Sequence, residues 1–210
     1  MKKMLMLLLT SGMFLLTGCD PDDVEFDMST DALSAAAAGK ISTATCTITF
    51  DTSMGGEDFK SNLPRIRKSI LPVLGPDAKI QTKADRLVAT FTAYVCPKDV
   101  APTGKEGPYR IVVDGDRIDY VATESMQVIS SRLSNINFSF DLKDNPKQVT
   151  MRISGGEASK KMSAKAVFVD GSAYLDYSKK IAEGEEAEIV FSRDKNSVYS
   201  QIRPFLRIEK

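Results

Sequence analysis

From Thr45 to Phe50 the side chains alternate in kind: Thr45, Thr47 and Thr49 are polar, while Cys46, Ile48 and Phe50 are apolar. A two-residue period puts one set on each face of a pleated strand, whereas a helix would scatter both around its axis. Runs of this kind recur. Lys79–Lys83 and Arg86–Val95 flank Ala84-Asp85, and Tyr109–Val113 and Arg117–Val121 flank Asp114-Gly115, a type I′ hairpin signal. One strong helical stripe interrupts them, with Phe59, Leu63, Ile66, Ile70 and Leu74 spaced by three or four. Ser61 or Asn62 is its expected N-cap, Pro64 falls in its first turn, and Pro72 should kink or end it. Lys60, Arg65, Arg67 and Lys68 form its polar side, read as a solvated face. The first half thus reads strand–helix–strands, an α+β pattern over residues 42–123.

Glu124–Leu133 has Met126, Ile129 and Leu133 at helical spacing but a strand-like Val128-Ile129, and is read as a connector. Seven short strands follow: Ile136–Leu142, Gln148–Ile153, Ala164–Val169, Ala173–Tyr177, Ala187–Phe191, Ser197–Ile202 and Phe205–Ile208. Turn residues such as Asp144-Asn145-Pro146 and Asp170-Gly171 separate most of them. This density suggests a small antiparallel β-sandwich over residues 134–210, immunoglobulin-like in architecture. The fold class expected is α+β to mainly β. Val112-Val113-Asp114-Gly115 is echoed by Phe168-Val169-Asp170-Gly171; a duplicated strand unit would explain this, and chance is favoured over it because Asp-Gly hairpins are common and the spacings differ.

The N-terminus has three zones: basic Lys2 and Lys3, an apolar run of about 13 residues from Met4 to Leu16, and small Thr17-Gly18 before Cys19. That order fits a secretory signal, and the run falls short of the roughly 20 residues of a spanning helix. Leu16-Thr17-Gly18-Cys19 resembles the lipobox of bacterial lipoproteins. The resemblance implies cleavage between Gly18 and Cys19, diacylglycerol on the Cys19 thiol, and a body held to a membrane by acyl chains. Residues 1–18 are then signal peptide. Residues 20–31, DPDDVEFDMSTD, carry six acidic side chains and no basic one, and 32–39 are an Ala run that Asp31 could cap. Residues 19–41 are therefore expected to be a lipidated Cys followed by a solvated tether. Asp20 resembles the inner-membrane retention signal of enterobacterial lipoproteins. In the Bacteroidetes, acidic residues there resemble a surface-export signal instead. The expected location is a bacterial membrane facing the periplasm, the inner one favoured.

Three Cys are present. With Cys19 lipidated, Cys46 and Cys96 are left, and an exported protein favours joining them in a disulfide. That loop of about 50 residues would contribute roughly 4 kcal/mol. Without Lys2 and Lys3 there are 26 basic against 28 acidic side chains, a balance that disfavours nucleic acid as a partner.

The chain has no His, so Ser-His-Asp and Cys-His catalysis are impossible and the commonest metal ligand is missing. Ser192-Arg193-Asp194-Lys195 fits Ser-x-x-Lys but sits at a strand end, not on a helix turn. Asp114, Asp116 and Asp119 lack the ligand count of a calcium loop. No catalytic residue, metal ligand or cofactor is expected. The reading is a lipid-anchored, non-enzymatic interaction module with a protein partner in the envelope, one variety being an exclusion lipoprotein of a phage or plasmid. The alternatives are a carboxylate-dependent hydrolase of envelope glycans and a structural lipoprotein bracing an envelope assembly.

Overall fold

A computed structural model describes residues 21–52, 56–136, 146–192 and 205–209. Its first strand, β1 (Pro21–Ser29), lies in the acidic stretch expected to be a tether. The expectation fails because the charges alternate with core residues. Val24, Phe26 and Met28 are buried, while Asp23, Glu25 and Asp27 take the opposite face. The Ala run is likewise structured, as α1 (Thr30–Ala37). Its N-cap is Ser29 rather than Asp31: the Ser29 hydroxyl accepts from the Ala32 amide at 3.1 Å. Thr30 and Asp31 accept from the amides of Gly156 and Glu157, at 2.8 and 3.1 Å. Leu33 and Ala36 are buried against the sheet; enclosing a leucine contributes about 1.5–3 kcal/mol. A helix this short is marginal alone and holds because it packs.

β2 (Ser42–Asp51) follows with the expected alternation, then α2 (Gly56–Leu74). The helix begins before the expected cap residues Ser61 and Asn62, and it carries both Pro64 and Pro72 internally. Lys60, Arg65, Arg67 and Lys68 are exposed, as expected of its polar face. β3 (Lys79–Lys83) and β4 (Arg86–Pro97) form the first hairpin, and β5 (Tyr109–Asp114) and β6 (Arg117–Ala122) the second. The second turn is not type I′. Only Gly115 has positive φ, at 64°, whereas Asp170 and Gly171 in the next hairpin both do, at 49° and 78°. The type I′ pattern therefore belongs to Asp170-Gly171. The ambiguous connector is a helix, α3 (Glu124–Ser134), capped by Thr123.

The remaining strands are β7 (Gln148–Ser154), β8 (Lys160–Val169), β9 (Ser172–Ile181), β10 (Glu186–Ser192) and β11 (Phe205–Ile208). The expected strand 197–202 and residues 137–142 of the expected strand 136–142 lie outside the described residues. The sandwich is overturned: the pairings run β10-β7-β1-β2-β4-β5-β6-β11-β8 and return to β10, a closed nine-strand barrel. The division into residues 42–123 and 134–210 does not describe this sheet. β1 is the reason, for it pairs antiparallel with β2 of the first half and parallel with β7 of the second. A strand read as tether leaves the two halves joined only where the short β11 meets β6.

β3 and β9 stand outside the ring, on edges of β4 and β8. β9 runs the length of β8 on one edge. β11 and β10 must therefore share the other, pairing with Met162–Lys165 and Phe168-Val169 respectively. Between those stretches Ala166 turns to a φ of 54°, and the buried positions of β8 change phase there, from Met162 and Ala164 to Val167 and Val169.

The interior is filled. The Phe26 ring, on one wall, reaches Tyr109 and Tyr120 of β5 and β6 at centroid distances of 6.5 and 6.4 Å. α1 packs where β1 ends. α2 and α3 close the end where β1 starts, with Ile70, Leu74, Ile129 and Leu133 around a small apolar void against Ile48, Phe50 and Ala89. No described helix is long and apolar enough to cross a membrane. A barrel apolar inside and polar outside along β1 and β2 also reverses the pattern of one that spans a bilayer.

Candidate functional site

The outer faces of β10, β7, β1, β2 and β4 make one continuous surface. The registers align Glu188, Arg152, Asp27, Thr45 and Thr92 in one row, and Val190, Thr150, Glu25, Thr47 and Thr90 in the next. The threonines of β2 face those of β4, with the Thr47 and Thr90 hydroxyls 3.3 Å apart. The other half is electrostatic. Arg152 is the cation at its centre, and its Nε donates to Glu188 at 2.9 Å. Its guanidinium also donates to Glu25 and stands 3.9 Å from Asp27. Asp23 completes the group, accepting from the Thr150 hydroxyl at 3.3 Å.

Four carboxylates thus surround one guanidinium, a local excess of three negative charges. Partial burial raises both Asp23 and Glu25 above ordinary carboxylates, because desolvation outweighs the attraction of Arg152 and the Thr150 bond to Asp23. Arg152 is itself held more firmly protonated, chiefly by its bond to Glu188. Perturbed carboxylates also occur in hydrolytic sites, but there a cleft encloses the substrate. Here they stand on the outer wall of a sheet. Neither the apolar void beneath α2 and α3 nor the 310 Å³ depression bounded by Lys161, Lys165, Asp176 and Arg207 includes them. Chemically the surface suits a basic or hydrogen-bonding protein face.

The residues expected from sequence fare unevenly. Gly18, Cys19 and Asp20 lie outside the described residues. Cys46 and Cys96 are both free and buried, which corrects the expected disulfide. The reason is strand parity. Cys46 faces the core opposite Phe91, and Cys96 lies five positions beyond Phe91 on β4, an odd count that turns it to the other face. At about 3.3 Å per residue the two are also roughly 16 Å apart along the sheet. Burial pushes both thiols up, Cys46 far more. Asp114, Asp116 and Asp119 each meet a cation instead of one another: Lys98 at 2.7 Å, Arg207 at 3.7 Å and Arg117 at 2.7 Å. Among the described residues no group of three or more acidic or thiol side chains is placed to hold a metal. Ser192 ends β10, and the rest of its Ser-x-x-Lys segment is outside the described residues.

Sequence reasoning missed the Arg152 cluster. The signal for half of it was present: Asp23-Val24-Glu25-Phe26-Asp27-Met28 alternates as regularly as the threonine strand. The chain matches no protein-family model, no curated protein and no solved structure.

Proposed function

We propose that this is a lipid-anchored envelope protein whose barrel is a non-enzymatic interaction module, presenting the threonine and carboxylate face to a protein partner. The observation that carries this reading is the closeness of the lipobox-like Cys19 to β1. Pro21 is already paired with Phe50, so at most about 7 Å of chain separates the lipidated residue from the barrel. Two or more acyl chains hold a protein durably, since each buried CH₂ contributes about 0.8 kcal/mol. With no tether to give reach, the membrane fixes the end of the barrel that α2 and α3 close. The exposed Lys60, Arg65, Arg67 and Lys68 of α2 belong to that end, where anionic headgroups attract them. The strand face stands beside the membrane at a set height, available to a neighbour in the same envelope. Confinement to a surface raises the effective concentration of both without new contacts.

Two experiments test this. Metabolic labelling with a palmitate analogue should mark the wild type and not Cys19→Ala; undiminished label in the variant refutes the anchor. A photoactivatable residue at Thr47, in intact cells, should capture one stoichiometric envelope protein. Capture of none refutes the interaction face.

A further inference from the structure

The open edge of β9 carries the strongest unassigned feature. Among the described residues β9 pairs only with β8, so one whole edge of a ten-residue strand is without a ladder. Such edges recruit other strands unless they are blunted. The other strand outside the ring is blunted: β3 has five residues and a Lys at each end. β9 is twice as long and has no Pro; its lysines, Lys179 and Lys180, share the strand with Asp176, and nine of its ten residues are exposed or half-exposed. Tyr174 and Leu175 are 39% and 56% exposed, large values for side chains of this kind.

We infer that β9 is a self-pairing interface, and that its occupant is the β9 of a second copy of this chain, antiparallel about a two-fold axis at Ser178. Register selects this arrangement. A two-fold axis relating antiparallel strands stands perpendicular to the sheet and passes through a residue facing its own equivalent. Only residue-centred registers are therefore allowed. Centred on Ser178, the strand reads as its own complement. Asp176 falls opposite Lys180 of the second copy, and the reverse pair repeats on the other side of the axis. Tyr177 falls opposite Lys179, a cation beside an aromatic ring, and Leu175 opposite Ile181. Centring on Tyr177 sets Asp176 against Ser178 and Leu175 against Lys179. Centring on Lys179 sets Asp176 against Ala182. Neither brings the carboxylate to a lysine.

The intrachain surroundings fit. Asp176 is 3.3 Å from Lys165 but its side chain remains 76% exposed, so it can serve a second cation. Lys180 lies across the β8–β9 ladder from Lys161, whose charge Glu209 meets at 2.9 Å, and an opposing carboxylate from another copy gives Lys180 a counter-charge of its own. Main-chain bonds along the open edge supply the attachment and the charges set the register.

Disulfide trapping in the full-length protein tests this directly. Ser178→Cys puts two thiols across the axis with Cα atoms about 4.5–5.5 Å apart, within disulfide range. It should give a dimer on non-reducing gels, whereas exposed Thr82→Cys on β3 should not. Added to Ser178→Cys, either Asp176→Lys or Lys180→Asp should lower the trapped fraction at least fivefold. The double exchange Asp176→Lys/Lys180→Asp should restore it. Near-ultraviolet circular dichroism of each variant checks that the barrel is intact. No trapping of a folded Ser178→Cys protein, equal trapping from position 82, charge variants that trap as well as the parent, or a crosslink to a different protein would each overturn the proposal.

Discussion

Replacing Arg152 by Met tests the electrostatic half of the sheet face. The change keeps an unbranched apolar stem over the sheet and removes the cation that stands among Asp23, Glu25, Asp27 and Glu188. Three ion contacts are lost, to Glu188, Glu25 and Asp27. A fully buried pair broken on one side costs about 3–5 kcal/mol and an exposed pair about 0.2–1. The Arg152 side chain is 38% exposed and that of Glu25 20%, so the pairs fall between those limits. Solvent screening holds each near the exposed value, and three together give a loss of about 1–2 kcal/mol. For a domain of this size that lowers Tm by roughly 2–8 °C. The pH dependence has a definite sign. Asp23 and Glu25 are raised in the folded state, so their contribution is fully present below the unfolded carboxylate range and is lost as pH rises through the folded values. Removing Arg152 takes away an attraction that lowers both, which moves them further up and deepens the loss at neutral pH. Urea melts of wild type and Arg152→Met at pH 7 and pH 4 should therefore show a large difference at pH 7 and a small one at pH 4. Added salt of about 1 M should shrink the pH 7 difference. Equal stability at pH 7, or a difference indifferent to both pH and salt, would show that the guanidinium does not neutralise this cluster.

Three further outcomes are expected. Native protein should resist iodoacetamide at pH 8 and yield two reactive thiols, Cys46 and Cys96, only after unfolding without reductant; a mass two units lower in the untreated protein would mean that they are bonded. Gly155→Ala should cost about 2 kcal/mol or more by thermal melt, because a Cβ there would lie 1.8 Å from the Ala182 carbonyl oxygen, a backbone atom that cannot swing away; a change within about 0.5 kcal/mol would refute the close approach. In vesicles carrying the lipidated protein, nitroxide headgroups should quench a fluorophore on Lys83→Cys, at the Pro21 end, several-fold more than one on Lys40→Cys beyond α1. Equal quenching would mean that the barrel does not sit end-on at its anchor.

Strand runs and turns were legible because their determinants are local. The alternation of β2, the two-residue turns of three hairpins and the apolar stripe of α2 all lie within a few neighbouring residues. β1 carried the same local signal, but its six-acid composition pointed to solvent. What makes that composition tolerable in a sheet is Arg152, about 127 positions away and brought alongside by the parallel β1–β7 register. Composition read over a short window cannot register a counter-charge that arrives from the other half of the chain. The disulfide failed for a related reason. Counting cysteines says nothing of parity, and the odd offset between Phe91 and Cys96 becomes meaningful only once Cys46 is known to face Phe91.

Barrel closure was the least legible feature, and the way it is achieved explains why. A sandwich and a barrel need the same strands with the same alternation, and differ only in which edges meet. Here three pairings decide the matter: β1 with β7, β6 with β11, and β8 with β10. None is a hairpin, so no turn chemistry announces it. β11 is four residues long and lies end to end with β10 along β8. That short strand joins β6 to the second half. The same arrangement leaves β9 over. Since β10 and β11 together occupy one edge of β8, the tenth strand of the path has no place in the ring, and among the described residues its outer edge pairs with nothing. The open edge is thus a consequence of how the barrel closes, which is why the self-complementary run of Asp176 to Lys180 falls there.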